Sequence, residues 1–264
     1  MLKLEHVYKT FNPGTINEKK ALTDLNLVVN EGDFITIIGS NGAGKSTMLN
    51  MIAGVYPIDC GYIHINDTNI SLLSENQRAN YIGRVFQDPM MGTATNMEIQ
   101  ENLALANRRG KHRGFGWGIT KAEKIQFKKE LERLGLGLED RLTNKVGLLS
   151  GGQRQALTLL MSSLQKPKIL LLDEHTAALD PRTAKKVLDL TEEIVSEENL
   201  TALMVTHNMK DAIKVGNRLI MMHEGHIIYD VSGDEKKNLT IEDLLKKFEE
   251  VSGDEFSNDR MLLD

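Results

Sequence analysis

Residues 39–47 read Gly-Ser-Asn-Gly-Ala-Gly-Lys-Ser-Thr, which fits the spacing Gly, four residues, Gly-Lys-Ser. Glycines at these places let the backbone curl so that successive N–H groups point at phosphate oxygens, and a following helix adds the positive end of its dipole. On this pattern Lys45 would reach the β- and γ-phosphates of a nucleotide and Ser46 would bind Mg²⁺. The flanks supply the context the pattern needs. Phe34-Ile35-Thr36-Ile37-Ile38 is a nearly continuous apolar run suited to a buried parallel strand. Lys45 to Ala53 predicts a helix that Gly54 stops.

Working outward, residues 2–8, 25–29, 61–66 and 82–86 read as further strands. The character changes over 96–164. Asn96 to Ala106 is helical, and Thr120 to Leu134 opens with Thr120 and Glu123 at capping-box spacing and carries Phe127, Leu131 and Leu134 on one face. Ser150 to Leu164 is a third helix. Between the first two lies the basic glycine-rich stretch 108–118, which holds Trp117, the sole tryptophan. It is expected to be a solvated loop, with contact to anionic headgroups or to a membrane partner as the competing reading. The strand pattern resumes at 169–172 and ends in Asp173-Glu174. A helix from Thr183 to about Glu198, a strand 203–205 ending in Thr206-His207, a hairpin at 218–231 and a helix 241–251 follow, and the polar last dozen residues are expected to be mobile. The order implies an α/β core interrupted by a helical insertion at roughly 90–164, and 264 residues suit one large α/β domain or two intimate subdomains.

Two further motifs carry chemistry. An Asp at the end of a buried strand, here Asp173, holds Mg²⁺, often through water, and Glu174 beside it suits polarising an attacking water. Leu149-Ser150-Gly151-Gly152-Gln153 opens a helix, and a hydroxyl with two glycines at a helix start makes a second anion site. One chain then holds two phosphate sites for one triphosphate. Head-to-tail pairing of two chains resolves this, with Ser150 and Gly152 of one copy capping the γ-phosphate held by the other.

With these residues the chain resembles the ATP-binding cassette (ABC) ATPases over nearly its whole length. The resemblance rests on the loop Gly39, Ser40, Asn41, Gly42, Ala43, Gly44, Lys45, Ser46 and Thr47, on Gln87, on the signature Leu149 to Gln153, on Ile169 to Glu174, on Ala178-Leu179-Asp180 and on His207. It implies a P-loop NTPase (RecA-like) core at about 1–89 and 165–232, with an N-terminal antiparallel β subdomain. A helical signature subdomain at about 90–164 and a short C-terminal helix and tail at 233–264 complete it. It implies that ATP and Mg²⁺ are bound, with Ser46, Gln87 and Asp173 toward the metal. Lys45, Glu174 and the γ-phosphate-contacting His207 would be catalytic. Ser150, Gly151, Gly152 and Gln153 would reach the partner's nucleotide, and Asp180 would signal across the dimer. Phe11 falls where the family stacks an aromatic on adenine, with Tyr8 as competitor. Many members have proline after the catalytic glutamate, whereas this chain has His175.

The bulk numbers fit. Charged residues are 26% and hydrophobic residues 41%, ordinary for a globular chain, and the net charge of −5 argues against a nucleic-acid footprint. The single Cys60 excludes an internal disulfide and a multi-cysteine metal site. No apolar run near the start reads as a secretory signal, and none approaches the ~20 residues that span a bilayer. The resemblance implies a cytoplasmic protein peripheral on the inner face of the membrane. Its implied partners are a second copy or a paralogous cassette, an integral-membrane permease and an extracellular or periplasmic substrate-binding protein. The segment after Gln87, Asp88-Pro89-Met90-Met91-Gly92, enters the region where the family receives a permease helix. Met90 and Met91 suit that contact, and the opposing reading buries them as core. The stretches 88–94, 173–181 and 216–225 look like ATPase subunits of bacterial tryptophan or tyrosine uptake systems, related to branched-chain amino-acid importers. An exporter or lipid-extraction ATPase and a soluble cassette of iron–sulfur cluster assembly are the alternatives.

Overall fold

The computed structural model describes residues 1–111 and 118–252. Residues 112–117, including Trp117 and most of the basic stretch, and the polar segment 253–264 lie outside the described residues. In chain order the elements are β1 (Leu2–Phe11), β2 (Lys19–Val29), β3 (Phe34–Gly39), α1 (Lys45–Ala53), β4 (Cys60–Ile65), β5 (Thr68–Asn69), α2 (Glu75–Arg78), β6 (Ile82–Val85), α3 (Ile99–Asn107), α4 (Lys121–Glu132), α5 (Gly151–Ser163), β7 (Ile169–Asp173), α6 (Pro181–Glu197), β8 (Thr201–Val205), α7 (Met209–Lys214), β9 (Arg218–His223), β10 (His226–Ser232), α8 (Gly233–Lys237) and α9 (Ile241–Ser252). They form two compact units, 1–78 with 201–264, and 79–200. The expected helical segment 90–164 lies wholly inside the second unit, which also holds β6, β7 and α6.

In the first unit an antiparallel sheet runs β2-β1-β4-β5. Strands β1 and β2 are longer than the expected 2–8 and 25–29, because they pair from Leu2↔Val29 through to Phe11↔Lys19. The other layer centres on β3, which has parallel neighbours on both sides. Ile37 stands opposite Val205 of β8, and Ile38 opposite Met221 of β9. Every residue of β3 is buried, which is why its run is apolar without alternation. Its one hydroxyl, Thr36, donates to the Ala212 carbonyl of α7.

Helix α1 has the predicted bounds, and Gly54 caps it in the left-handed region at φ 86°. Arg78 completes that end. It is 1% exposed and donates to the carbonyls of Met51 and Ile52 at the end of α1, and to those of Ser71 and Leu73. A guanidinium suits this place because its fork of donors serves several carbonyls while its charge offsets the negative end of the helix dipole. Burial pulls its pKa down, but an arginine remains charged throughout the working range.

In the second unit β6 and β7 pair in parallel, with Val85 opposite Leu172. Helix α6 begins two residues before the expected Thr183, because Asp180 accepts from Thr183 N and Pro181 fills the first turn, where a missing N–H costs nothing. Helix α3 begins at Ile99, later than the expected Asn96, because Glu98 and Glu101 form its capping box. Met90 and Met91 are 52% and 67% exposed, so the reading that buried them as core is corrected: the loop they occupy makes no hydrophobic cover for them. His175 does the reverse of a surface histidine. It is 1% exposed, and its Nε2 lies 2.9 Å from Thr191 Oγ1 in α6. Burial pushes its pKa down to about 4.

Two predictions follow from these buried bases. Arg78→Met removes the guanidinium donor from four carbonyls, of which Met51 O keeps the Gly54 N–H, and should lower stability by about 2–4 kcal/mol, with Arg78→Lys recovering only part, as measured by urea unfolding. His175 is neutral in the native state, whereas the unfolded chain takes up the proton near pH 6.5. Its contribution is therefore present above pH 6.5 and is lost as pH falls toward 4. The wild type should lose on the order of 3 kcal/mol more than a His175→Leu/Thr191→Val variant over this window, read from unfolding curves at stepped pH.

Candidate functional site

In parallel strands the register decides which loops sit abreast. Ile37 faces Val205, so Gly39 and His207, each two residues further on, leave the first unit's sheet at the same carboxyl edge. Thr206 N donates to Ile37 O and carries the pairing one residue past β8. Asn208 then caps α7 by accepting from Asp211 N, which turns the chain directly after His207. The same arithmetic holds in the second unit. Val85 faces Leu172, so Gln87 and Glu174 leave β6 and β7 side by side. Ligands of α/β proteins gather at such carboxyl edges.

The loop 39–47 folds tightly back on itself and on β2. Gly44 has φ 99°, and a Cβ there would come within 2.5 Å of the Ala21 carbonyl oxygen, so this place accepts only glycine. Lys45 is 5% exposed, and its ammonium donates to Gly39 O at 2.6 Å and Ser40 O at 3.0 Å. The cation therefore lies inside the curl of the loop. Ser46, Asn41 and Gly42 are exposed, whereas Ala43 is buried. Gly225 N donates to Ala43 O and joins the loop to the β9–β10 turn.

Phe11 sits at the end of β1 opposite Lys19. Lys19 Nζ in turn lies 3.2 Å from the point a Cβ on Gly42 would occupy, so the Phe11 end of the hairpin adjoins the loop. The Phe11 ring meets Tyr56 edge-on at 5.3 Å, and the Lys9 ammonium stands 5.6 Å from its centroid, held by Asp59. Tyr8 pairs instead with Cys60, and desolvation together with the neighbouring Asp24 raises its phenol pKa. Lys19 and Tyr56 escaped the sequence reading. A lysine between a hairpin tip and an Ala-Leu pair carries no pattern of its own, and only the register shows it.

In the second unit Asp173 closes β7, and Glu174 follows with φ 47°, left-handed and unusual for a residue with a side chain. The Arg84 guanidinium lies 3.7 Å from the Asp173 carboxylate and 4.5 Å from the Phe86 ring centroid. Arg84 was also missed, although a lone base within Ile82-Gly83-Arg84-Val85-Phe86 is a visible interruption of an apolar run. Gln155 of α5, fully buried, donates to Phe86 O at 3.0 Å just before Gln87, whose own side chain is exposed.

The signature residues form the start of α5. Ser150 is its N-cap and accepts from Gln153 N, while the Gln153 side chain accepts from Ser150 N. Gly152 is buried, and a Cβ there would meet Thr183 Cγ2 at 2.1 Å, so the start of α5 and the first turn of α6 are in contact. Asp180 is exposed, with its carboxyl held below the usual range, first by the Thr183 hydroxyl. Among the described residues no cluster of three or more His, Cys, Asp and Glu gathers to hold a metal, and no helix is long and apolar enough to cross a membrane.

Comparison with known proteins gives these residues a common frame. The ABC transporter family profile matches residues 22–177. The chain is 46% identical over 250 residues to a tyrosine transport ATP-binding protein of Clostridioides difficile, covering 94% of this chain and 99% of that protein. It is 32% identical over 256 residues to a phosphonates import ATP-binding protein of Lactococcus lactis, with coverages of 94% and 99%. Its structure is similar to the dimeric post-hydrolysis state of the ATP-binding cassette MJ0796 bound to ADP and Pi (TM-score 0.75, 30% identity, 88% of this chain and 98% of that one). It is also similar to the ADP conformation of the cassette MJ1267 (TM-score 0.76, 27% identity, 94% and 98%). A phosphate loop, an acidic strand end and a signature helix, matched over nearly the full length of these relatives, make this chain a member of the ABC transporter family, as its ATP-binding and ATP-hydrolysing cassette.

Proposed function

We propose that the chain is the ATPase subunit of an amino-acid importer of the aromatic or branched-chain type, driving a separate permease from the cytoplasmic face of the membrane. The observation that carries this reading is the 46% identity, end to end, to a tyrosine transport ATP-binding protein. The phosphonates relative is named for import, which favours import over the export reading. The exposed Met90 and Met91, directly after Gln87, are adaptable apolar side chains of the kind a permease helix would pack on.

In this reading the loop 39–47 cradles the triphosphate with its N–H groups, Lys45 turns its ammonium from the loop carbonyls to the β- and γ-phosphates, and Phe11 stacks on adenine. Phe11 is preferred to Tyr8 because its strand partner Lys19 adjoins Gly42, whereas Tyr8 lies farther back beside Cys60. Ser46, Gln87 and Asp173 offer a hydroxyl, a carboxamide and one carboxylate, a hard oxygen set that suits Mg²⁺ shared with phosphate oxygens. When bound, Mg²⁺ would neutralise charge on the phosphates. Glu174 accepts a proton from the attacking water, and His207 contacts the γ-phosphate. Two copies pair head to tail, so that Ser150, Gly151, Gly152 and Gln153 of one complete the site of the other and Asp180 lies at their junction. Loss of the γ-phosphate then removes the link between the copies, a ligand-controlled switch.

Two measurements test this. Glu174→Gln should bind ATP and hold the two copies together on size exclusion, while turnover falls by about 10²-fold or more. Wild-type turnover in that variant would remove Glu174 from the role of base. The substrate reading is tested by purifying the chain with its membrane partner and external binding protein. Tyrosine or tryptophan, added with that binding protein in vesicles, should stimulate ATP hydrolysis, whereas methionine and phosphonates should not. Purification in a wholly soluble complex would defeat the importer reading.

A further inference from the structure

His175 stands where many family members have proline. A proline there restricts its own φ and the conformation of the residue before it. Histidine does neither, yet the residue before it, Glu174, sits in the sparsely populated left-handed region at φ 47°. Something else must hold the turn. Ala177 N donates to Glu174 O at 3.0 Å, and Leu179 N to Thr176 O at 3.2 Å, so the segment is two successive tight turns leading to the N-cap Asp180. These bonds fix its internal shape but not its place against the body of the unit.

That place is given by the His175 side chain. The Thr191 hydroxyl has one proton, which goes to Val187 O at 2.8 Å. With that proton given to Val187 O, the contact of 2.9 Å between Thr191 Oγ1 and His175 Nε2 takes its proton from the imidazole. Both residues are buried, at 1% and 0% exposure, so no water competes for the bond. Thr191 lies in the middle of α6, roughly 16 Å along the axis from Asp180 at ~1.5 Å per residue. The turn is thus held to α6 at two well-separated points, the helix start and its middle.

We propose that His175 is a positioning residue for Glu174: its hydrogen bond to Thr191 anchors the turn after β7 to the middle of α6 and so sets where the Glu174 carboxylate stands. The proposal rests on the reading of Glu174 as the water-polarising group. It also links the two motifs of the unit, because the helix that receives His175 presents Thr183 to the signature Gly152.

The test uses the full chain with ATP titrations. Thr191→Val keeps the shape and removes the acceptor. It should lower kcat on the order of tenfold, the scale of a small misplacement of a reacting group, with KM for ATP within about twofold. Thr191→Ser, which restores the hydroxyl, should recover most of kcat. His175→Leu combined with Thr191→Val removes both polar partners. It should regain thermal stability relative to Thr191→Val while kcat stays low, an outcome that a purely structural bond would not produce. The proposal is overturned if Thr191→Val turns over as wild type, if kcat and KM move together, or if the double variant regains kcat along with stability. Glu174→Gln measured in parallel separates the two readings. Wild-type turnover in that variant removes the role of Glu174 itself. An inactive Glu174→Gln beside a fully active Thr191→Val removes only the role of His175.

Discussion

Everything chemical in this chain depends on the register of two parallel strand pairs. Because Ile37 faces Val205, the phosphate loop and His207 emerge together; because Val85 faces Leu172, Gln87 and Glu174 leave β6 and β7 side by side. A slip of one residue would turn each side chain to the opposite face of its sheet. The burial of β3, β7 and β8 makes such a slip costly, since nearly every side chain in them is packed on one face or the other. The apolar strands hold the polar loops in place by refusing any other pairing.

The loop geometry is then set by close backbone approach. Gly44 lies against the Ala21 carbonyl, and Lys45 fills the curl with its own ammonium. The helix that follows is satisfied at its far end by Arg78, a buried cation facing only carbonyls. Desolvating a guanidinium is expensive. Here the cost is offset by several charge-assisted hydrogen bonds and by the negative end of a helix whose other end is read as meeting phosphate.

Much of this was legible in the sequence, for reasons that can be named. The loop 39–47, helix α1 with its stop at Gly54, the capping box Thr120–Glu123 and the signature helix are local patterns, and local patterns survive translation into structure. What was missed depends on distant partners. The four residues of α2, the short helices α7 and α8 and the two residues of β5 are too brief to show periodicity. Lys236 reads as a solvated base among Asp234, Glu235 and Lys237, yet it is 2% exposed and donates to Val215 O and Gly216 O. Arg84 and Lys19 matter through neighbours that only the strand register supplies. His175 was noticed as a departure from the family, but its partner Thr191 lies sixteen residues on and carries no mark of the pairing.

The start of α5 shows why the site was read as incomplete in one chain. An α-helix begins with four N–H groups that its own carbonyls cannot satisfy. Here Gln153 N is taken by Ser150 Oγ, and Arg154 N by Ser150 O. The N–H groups of Gly151 and Gly152 belong to that first turn, and the Ser150 hydroxyl, having accepted from Gln153 N, still has its proton to give. Ser150 and Gly151 are exposed, so water reaches this end at little cost. The buried side of Gly152 is closed by Thr183. A helix start whose Ser150 and Gly151 are exposed offers a hydroxyl, N–H groups and a helix dipole that suit a phosphate oxygen. The capping box takes up Ser150 N and Gln153 N and leaves the rest of the first turn to the partner copy's nucleotide in the proposed pairing.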